Sequence, residues 1–380
     1  MKRTVREALL VIAGLAVVAF VAWFLVGCGS SASSSQSSSA QTQTQARPED
    51  RAIASAQHFL DRYVARDGRV SRIDQGGDTV GEGQAYGMLI AAAIGDSRRF
   101  NTIWQWTQKN LERPDGLISF LWKNGKVLDP QAASDADLDA SRALLVASCR
   151  FHQPALKQQA LHLASAIMRI EVGSARFNGD PVLTAGPWAI SPPPVTVNPS
   201  YFSPASFALL QSASGDRAWA GLAASSRAIT SDLMPQPGRL PPDWAHLEGD
   251  KPVAIGDPSR PTSSPQFGFD AVRTLVRFAE DPDPVGRQIA ARAWPVFQNA
   301  NPTSLPVEHN LSGQPTGHTL HPVALVAAAG AADAAGQPAA RDGLLDEAEA
   351  LDKRSPTYYG AAWVALGRIM LTTKLLDACS

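Results

Sequence analysis

Apolar residues recur at intervals of three and four positions along most of the chain after Arg47, which is the spacing of one helical face. Clusters of proline and glycine interrupt this pattern. The pattern predicts twelve helices, near residues 48–66, 84–97, 99–111, 136–152, 154–171, 203–214, 216–232, 268–281, 284–300, 320–335, 339–351 and 357–377. We therefore expect an all-α fold.

The links between the predicted helices alternate between short and long. Gly95-Asp96-Ser97 and Ser214-Gly215-Asp216 are short enough to join antiparallel neighbours. The long links are residues 67–83, 112–135, 172–202, 233–267 and 301–319. This alternation favours helical hairpins closed into a ring. We expect the long loops to gather at one end and to form a substrate groove, since long loops in a compact domain are usually functional. Apolar and polar side chains alternate moderately over residues 116–122, before a Lys-Asn-Gly turn. This pattern also predicts short strands within 112–128.

The first residues of the chain have the pattern of an export segment. Lys2, Arg3 and Arg6 precede an uncharged apolar run over residues 9–27. A run of roughly 20 apolar residues is long enough to span a bilayer, and the basic start keeps the N-terminus in the cytoplasm. We therefore set residues 1–27 apart from the fold and expect the rest of the chain to be exported.

Leu25-Val26-Gly27-Cys28 resembles the lipobox of bacterial lipoproteins, in which the cysteine becomes the lipidated N-terminus. The resemblance implies a lipoprotein attached to a membrane through Cys28, on its periplasmic face. Gly29 does not resemble an inner-membrane retention signal, which favours the outer membrane where the cell has one. An uncleaved transmembrane anchor and simple secretion remain as alternatives.

Residues 28–46 contain almost only small and uncharged polar side chains after the cysteine, so nothing there offsets the entropy of ordering. We interpret them as a flexible tether between the export segment and one domain over residues 47–380. Cys149 and Cys379 could pair in an oxidising compartment. Two isolated buried thiols are the interpretation that we favour slightly.

Composition narrows the class of protein. Apolar residues are 44% of the chain and charged residues 18%, which supplies a large core and excludes wholesale disorder. The 34 basic and 35 acidic residues give a net charge of −1, which argues against a nucleic-acid-binding protein. Three cysteines are too few for a disulfide scaffold or a cysteine-rich zinc site.

Three acidic segments differ from ordinary surface charge. The first is Gly81-Glu82-Gly83-Gln84-Ala85-Tyr86-Gly87-Met88, which lies where a long link enters a helix. The second is Ala133-Ser134-Asp135-Ala136-Asp137-Leu138-Asp139, with three acids in five positions. The third is Phe267-Gly268-Phe269-Asp270-Ala271-Val272-Arg273. In it Asp270 precedes Arg273 by one helical turn, so the two can pair.

Each segment also has a structural interpretation that the sequence leaves open. Glu82 can compensate a helix dipole, and one or two of the acids in 135–139 can cap a helix. An Asp–Arg pair is more often structural than catalytic. The alternating acids resemble a calcium loop, but the glycine and terminal glutamate of an EF-hand are missing. We expect neither a resident metal nor a cofactor.

Separate carboxylates that converge would suit glycoside hydrolysis. One carboxylic acid protonates the leaving oxygen, and a second carboxylate activates water or attacks the sugar. Their pKa values must then differ. Trp122, Trp188, Tyr201 and Trp244 lie in long links beside the acidic segments. Each can bind a sugar face or fill a local core.

The three segments, with Asn198-Pro199-Ser200-Tyr201 between the last two, resemble glycoside hydrolase family 8 over most of residues 50–377. They look closest to the endoglucanases associated with bacterial cellulose synthesis. The resemblance implies an (α/α)6 barrel and inverting hydrolysis of β-1,4-glucan. It departs from the family pattern at Ala85 and at Ala140-Ser141, which we interpret as changes in packing.

The resemblance also implies roles for individual residues. Glu82 matches the general acid, Asp270 the general base of most members, and Asp135 a carboxylate that holds the sugar at the cleavage subsite. The position of the base varies between subgroups of the family. The implied substrate-binding groups are Tyr201, Arg273, Trp122, Trp244, Tyr358 and Tyr359.

Several functional alternatives stay open at this point. Xylan, chitosan or mixed-linkage glucan could replace cellulose as the substrate. The same barrel hosts polysaccharide lyases, and a non-catalytic glucan-binding lipoprotein is a further alternative. The expected partners are a β-glucan, a membrane and the cellulose synthase machinery. We expect a monomer, since a closed barrel needs no partner to bury its core.

Overall fold

The structure is a computed structural model that describes residues 47–260 and 262–377. The predicted export segment, the tether, Cys28 and Cys379 lie outside these residues, so what we expect of them stays a prediction. No helix within the described ranges combines the length and the apolarity needed to cross a membrane.

Thirteen α-helices lie in the described part of the chain. They are α1 Pro48–Tyr63, α2 Gly81–Ile94, α3 Ser97–Asn110, α4 Ser134–Arg150, α5 Pro154–Ala166, α6 Pro204–Ser214, α7 Ala218–Leu233, α8 Val272–Ala279, α9 Pro284–Ala291, α10 Trp294–Phe297, α11 Pro322–Ala334, α12 Pro338–Arg354 and α13 Tyr358–Thr372. All twelve predicted helices are present. The one predicted over 284–300 is interrupted between α9 and α10, where Pro295 cannot donate a helical hydrogen bond.

Proline and glycine mark the helix ends, as the sequence indicated. Six helices have proline as their first residue, where its fixed φ suits the helix and its missing N–H costs nothing (α1, α5, α6, α9, α11 and α12). Gly95 and Gly215 follow α2 and α6 with φ of 80° and 75°. Such left-handed caps favour glycine and turn the chain sharply into the next helix.

Alternate helices form two concentric layers. In the inner ring, α2, α4, α6, α8, α11 and α13 each pack on the next, and α13 packs on α2 to close it. An outer helix, α1, α3, α5, α7, α9 or α12, packs against each inner one, while the short α10 lies against α11. At Gly330 a side chain would meet the backbone of Leu275 at 2.9 Å, so α8 and α11 approach closely. This is the (α/α)6 barrel that the resemblance implied.

Eight short strands lie in the described long links and form three antiparallel sheets. They are β1 Thr79–Val80, β2 Leu121–Lys123, β3 Lys126–Asp129, β4 Arg176–Phe177, β5 Asp180–Pro181, β6 Val195–Val197, β7 Trp244–Glu248 and β8 Lys251–Ile255. The expected strands within 112–128 are confirmed by β2 and β3, which join at Asn124-Gly125 with φ of 52° and 85°. The other six strands were not predicted.

The long links gather at one end of the barrel. Each of them leads from an outer helix into the N-terminus of an inner helix, whereas the chain returns to an outer helix through a short link. Because consecutive inner and outer helices run in opposite directions, the inner helices run parallel to one another and all these N-termini lie at the same end. The sheets therefore surround the positive ends of the inner helix dipoles.

Three stacked ion pairs connect α4 with α8 through the barrel interior. They are Asp135–Arg273, Asp139–Arg277 and Arg142–Glu280, and each joins residues 138 positions apart. A constant offset requires the two helices to run parallel and in register. The middle pair is bidentate, with nitrogen–oxygen distances of 2.7 and 2.6 Å, and Arg277 is fully buried. We call this set the α4–α8 ladder.

Cys149, in the last turn of α4, is disulfide-bonded. The described residues contain no other cysteine, so its partner lies outside them. The preference for an isolated thiol at Cys149 is therefore wrong, and the oxidising compartment that we expected would allow such a bond.

The ladder leads to a prediction about stability. Asp139→Leu leaves the buried guanidinium of Arg277 without its counter-ion, so we expect it to lower the free energy of unfolding by ~3–5 kcal/mol. The double variant Asp139→Leu/Arg277→Met buries no charge at this rung and should recover most of that loss. Urea unfolding followed by circular dichroism measures both.

A matched control is Lys353→Ala, which removes an exposed partner of Glu349. Exposed pairs are worth ~0–1 kcal/mol, so its midpoint should stay close to that of the wild type. An Asp139→Leu protein that unfolds at the same urea concentration as this control would contradict the structural role of the ladder.

Candidate active site

One guanidinium lies at the centre of the site. Arg273, the second residue of α8, is 1% exposed. Its Nη1 lies 2.9 Å from Oε2 of Glu82 and 2.7 Å from Oδ2 of Asp135, and its Nη2 lies 2.8 Å from Oδ1 of Asp270. The structure thus brings together the three carboxylates that the sequence analysis singled out.

Local structure explains why these side chains converge. Glu82 is in the first turn of α2, directly after β1. Asp135 is the second residue of α4, and Asp270 lies in the turn that opens α8. All three therefore project from N-terminal ends of inner helices, where the helix dipoles favour negative charge.

The three carboxylates differ in their access to solvent. The side chains of Glu82 and Asp270 are 23% and 33% exposed, whereas that of Asp135 is 2% exposed. Glu82 and Asp270 can therefore meet a ligand in the groove, and Asp135 lies beneath them. Within the described residues no group of three or more His, Cys, Asp and Glu side chains could hold a metal ion.

The surroundings of Glu82 favour its protonated form. Burial raises its pKa to about 7, and the positive charge of Arg273 opposes this shift. The negative charges of Asp135 and Asp270 raise the pKa further. Glu82 therefore holds a proton at mildly acidic pH, when an ordinary glutamate would be ionised.

Asp270 has more support for its ionised form. Burial raises its pKa, while the charge of Arg273 and the side-chain amide of Asn198 oppose the shift. Arg273 also donates directly to its carboxylate. The pKa of Asp270 is still raised overall, and the same guanidinium lies between the two carboxyl groups.

Asp243 holds the segment that carries Asp270. Its Oδ1 accepts the backbone N–H groups of Gly268 at 2.9 Å and Ala271 at 2.8 Å, on either side of Asp270. Burial and the charge of Asp270 raise the pKa of Asp243 to about 7. Sequence reasoning gave Asp243 no role, because its partners are more than twenty residues away.

Two tyrosines flank the central arginine. The ring of Tyr201 lies 5.1 Å from the Arg273 guanidinium carbon, within the range of a cation–π contact. The hydroxyl oxygen of Tyr86 accepts from Nη1 of Arg273 at 3.0 Å. Sequence reasoning gave Tyr86 no role, although it follows Glu82 by four positions and so lies on the same helical face.

An aromatic cleft adjoins the carboxylates. Trp244, the first residue of β7, has its ring centre 6.1 Å from that of Tyr201 and 6.1 Å from that of Trp188. The pairing of β6 with β7 brings Trp244 beside the turn that carries Tyr201. These rings border a cavity of about 470 Å³ whose lining includes Phe120, Gln131, Trp188, Tyr201, Trp244 and Ser259.

Trp122 lies on the side of the site that carries Glu82. It belongs to β2 and pairs with Thr79, just before α2. Its ring packs edge-on against Trp106 at 5.2 Å, and the Arg69 guanidinium lies 5.4 Å from its centre. The ring is partly exposed, so it remains accessible to a ligand in the groove.

The neighbouring residues Tyr358 and Tyr359 have different surroundings. Tyr359 is partly exposed, and its hydroxyl donates to the carbonyl oxygen of Phe269 at 2.8 Å. Tyr358 is 1% exposed and packs edge-on against Tyr63, and a side chain at Gly83 would meet its hydroxyl. The expectation that Tyr358 contacts a sugar is therefore corrected: it packs behind Glu82.

Comparison with known proteins identifies the family of the chain. A family model described as "Glycosyl hydrolases family 8" matches residues 22–370. The chain belongs to glycosyl hydrolase family 8. The resemblance stated from the three acidic segments is thereby confirmed.

The individual relatives that follow are less than 30% identical to this chain, and each is named an endoglucanase or endo-beta-1,4-glucanase. A probable endoglucanase of Novacetimonas hansenii is 29% identical over 236 residues, covering 58% of this chain and 64% of that protein. An endoglucanase of Xanthomonas axonopodis pv. citri is 29% identical over 227 residues, covering 57% of each. The alignments thus span less than two thirds of both relatives. The solved endo-beta-1,4-glucanase CMCax from Acetobacter xylinum superposes with a TM-score of 0.71 at 26% identity, covering 85% of this chain and 98% of that one.

The electrostatics of Glu82 can be tested without any substrate. We expect its carboxyl group to titrate near pH 7. Arg72 lowers the pKa of Glu82 through its charge, so Arg72→Met should move the titration to higher pH. Carbon-13 NMR of the labelled full chain measures this, with Glu82→Gln used to assign the signal.

Arg98→Gln is a matched control, since Arg98 is an exposed residue of α3 and does not contribute to the pKa of Glu82. It should leave the titration unchanged. A Glu82 signal that titrates near the ordinary glutamate value of about 4.3 would contradict this electrostatic description of the site.

Proposed function

We propose that this protein is an endo-acting hydrolase that cleaves β-1,4-glucosidic bonds in a cellulose-like glucan by inversion. The observation that carries the proposal is the single guanidinium of Arg273, which joins Glu82, Asp135 and Asp270 beside the aromatic cleft. The relatives described above are named endoglucanases, and this chain belongs to their family.

In this proposal Glu82 is the general acid. Its raised pKa keeps a proton available at mildly acidic pH, and its partial exposure lets that proton reach the glycosidic oxygen. Protonation is needed because a sugar alkoxide is a poor leaving group. As the bond breaks, the new carboxylate of Glu82 is stabilised by the adjacent Arg273.

Asp270 is the general base that removes a proton from the attacking water. Arg273 holds it through Nη2 and holds Glu82 through Nη1, so the guanidinium fork lies between the two carboxylates. Inverting enzymes need room for a water molecule between the base and the sugar, whereas retaining enzymes place their carboxylates closer together. We assign inversion from the family resemblance, which matches Asp270 to a general base that activates water.

Asp135 and the aromatic cleft would hold the sugar. Asp135 is almost fully buried beside Arg273, where its negative charge can stabilise positive charge that develops on the ring. Trp244 and Tyr201 present rings at the groove, and flat aromatic faces suit the apolar faces of glucose units. A nearly neutral protein also suits an uncharged polymer.

Substitution of the acid and the base tests the proposal. Glu82→Gln and Asp270→Asn should each lower kcat on carboxymethylcellulose by ~10²–10⁴-fold, because general acid–base catalysis typically contributes that much. Glu347→Gln on the outer helix α12 is the matched control and should retain full activity. Reducing-sugar assays on carboxymethylcellulose, xylan, chitosan and mixed-linkage glucan measure rate and preference.

The same assays give outcomes against the proposal. A Glu82→Gln protein with near-normal kcat would show that another group is the acid. Products that first appear with retained β configuration in proton NMR would refute inversion. Faster cleavage of xylan or chitosan than of carboxymethylcellulose would refute the assigned substrate.

We also propose that the enzyme acts outside the cytoplasm, attached to a membrane through Cys28. The support is the basic start, the apolar run and the lipobox-like segment of residues 1–28. The cellulose synthase machinery as a partner and the monomeric state stay predictions that rest on the family resemblance and on the closed barrel.

Lipidation gives a direct test of the attachment. In a bacterial host grown with labelled palmitate, the wild-type protein should carry the label and fractionate with membranes. Cys28→Ala should lose the label, since no thiol remains at that position. Unlabelled wild-type protein would refute the lipoprotein, and a membrane-bound Cys28→Ala protein would favour an uncleaved anchor.

A further inference from the structure

Two carboxyl groups outside the proposed mechanism lie beneath the site. Asp137 is in the first turn of α4, two residues after Asp135. Glu171 lies in a π-helical turn over Ile167–Val172 that continues α5. Both side chains are fully buried. Single π-helical turns are rare and frequently occur at functional sites.

The two groups face each other without a cation. They are within hydrogen-bonding reach of each other. Among the described residues no other group donates to Oδ2 of Asp137 or to either side-chain oxygen of Glu171. Two carboxylates in contact inside a protein cannot both be ionised, so at least one proton must lie between them.

We propose that Asp137 and Glu171 are positioning residues that share at least one proton at neutral pH and thereby fix the first turn of α4, which carries Asp135. The effect of this pair on catalysis rests on the function proposed above, whereas the shared proton does not.

The charged groups near Asp137 and Glu171 do not neutralise the two carboxylates, so the shared proton is still needed. The nearest charged groups are Asp135 on α4 and Arg113 in the link after α3. Asp135 adds negative charge, which favours protonation. Arg113 opposes it, but its hydrogen bonds go to Asp115 and to the carbonyl oxygen of Pro130. Burial raises the pKa of both carboxyl groups well above the usual range.

The pair connects three segments at the site. Oδ1 of Asp137 accepts the backbone N–H of Ile118 at 2.8 Å. Two residues later, the carbonyl oxygen of Phe120 accepts the N–H of Gly81 at 2.9 Å, next to Glu82. The segment held by Asp137 therefore supports the start of α2 as well as the start of α4.

Glu171 extends the network on the other side. Its carbonyl oxygen accepts from the N–H of Thr184 at 3.0 Å and from the Thr184 hydroxyl at 2.6 Å. The carbonyl oxygen of Thr184 in turn accepts from the hydroxyl of Ser134 at 2.6 Å. Ser134 directly precedes Asp135, so this route ends at the first turn of α4, whereas the route through Ile118 ends at the start of α2.

The shared proton has a measurable effect on stability. In the unfolded chain both groups release their protons above pH ~4.5, whereas the folded protein keeps at least one. Stability must therefore fall as pH rises above that value until the pair itself ionises, and the unfolding equilibrium constant rises about tenfold per pH unit for each retained proton.

The experiment compares the full wild-type chain with the double variant Asp137→Asn/Glu171→Gln, which keeps the shapes and removes both titrating groups. Urea unfolding between pH 5 and 7 should give a ratio of unfolding constants, wild type over variant, that rises at least about tenfold per pH unit. Parallel pH dependence of the two proteins would overturn the shared proton.

A kinetic comparison tests positioning. Glu171→Gln can still donate a hydrogen bond to Asp137, so its kcat should stay within about threefold of wild type, whereas Glu171→Leu should lose about tenfold or more in kcat with little change in KM. Equal kcat values for these two variants would overturn the positioning role. If the leucine variant does not fold, the pH dependence of the isosteric double variant still decides the pair.

These outcomes separate the two proposals. A wild-type protein that hydrolyses no glycan would refute the proposed function. It would leave the stability measurement intact, since that measurement needs no substrate.

Discussion

The site depends on the placement of one buried guanidinium. Three carboxylates at neighbouring helix N-termini would repel one another, and the dipoles alone would not hold them in a fixed geometry. Arg273 supplies a planar fork of donors that reaches all three. Its charge cannot be lost by deprotonation, so the arrangement persists across the working pH range.

Ion pairs in the barrel interior restrict the position of Arg273. The α4–α8 ladder continues from Asp135–Arg273 through Asp139–Arg277 to Arg142–Glu280, so the two helices cannot slide relative to each other without breaking buried ion pairs. Buried pairs of this kind contribute little net stability compared with apolar packing, because desolvation offsets their attraction. Here they fix register, which an apolar interior would specify less sharply.

The same charges separate the properties of acid and base. Burial and the negative charges of two neighbouring carboxylates disfavour the ionised form of Glu82, and Arg273, which it shares with Asp135, opposes this only in part. Asp270 has its own nitrogen of Arg273 and the nearby Asn198. One cation and three carboxyl groups thus give Glu82 and Asp270 different surroundings. Acid–base catalysis requires such a difference, because the pKa values of the acid and the base must differ.

Local patterns were sufficient to predict the helices and to single out three acidic segments, and the family resemblance selected Glu82, Asp135 and Asp270 within them. Apolar periodicity and helix starts are readable within a few turns, and Glu82, Asp135 and Asp270 each lie at a helix start. Asp243, the Asp139–Arg277 pair and Glu171 could not be found in this way, because their partners are distant in sequence. Tyr358 and Tyr359 illustrate the same limit, since neighbouring residues on a helix face different directions and only packing shows which one is buried.

The central claim is that the guanidinium fork of Arg273 organises the acid and the base. The most direct measurement is kcat of Arg273→Lys on soluble cello-oligosaccharides, with circular dichroism to verify folding. A lysine keeps the charge but cannot donate to Glu82, Asp135 and Asp270 in the same planar geometry. We predict a loss of about 100-fold or more in kcat. A folded Arg273→Lys protein with near-wild-type kcat would contradict the claim.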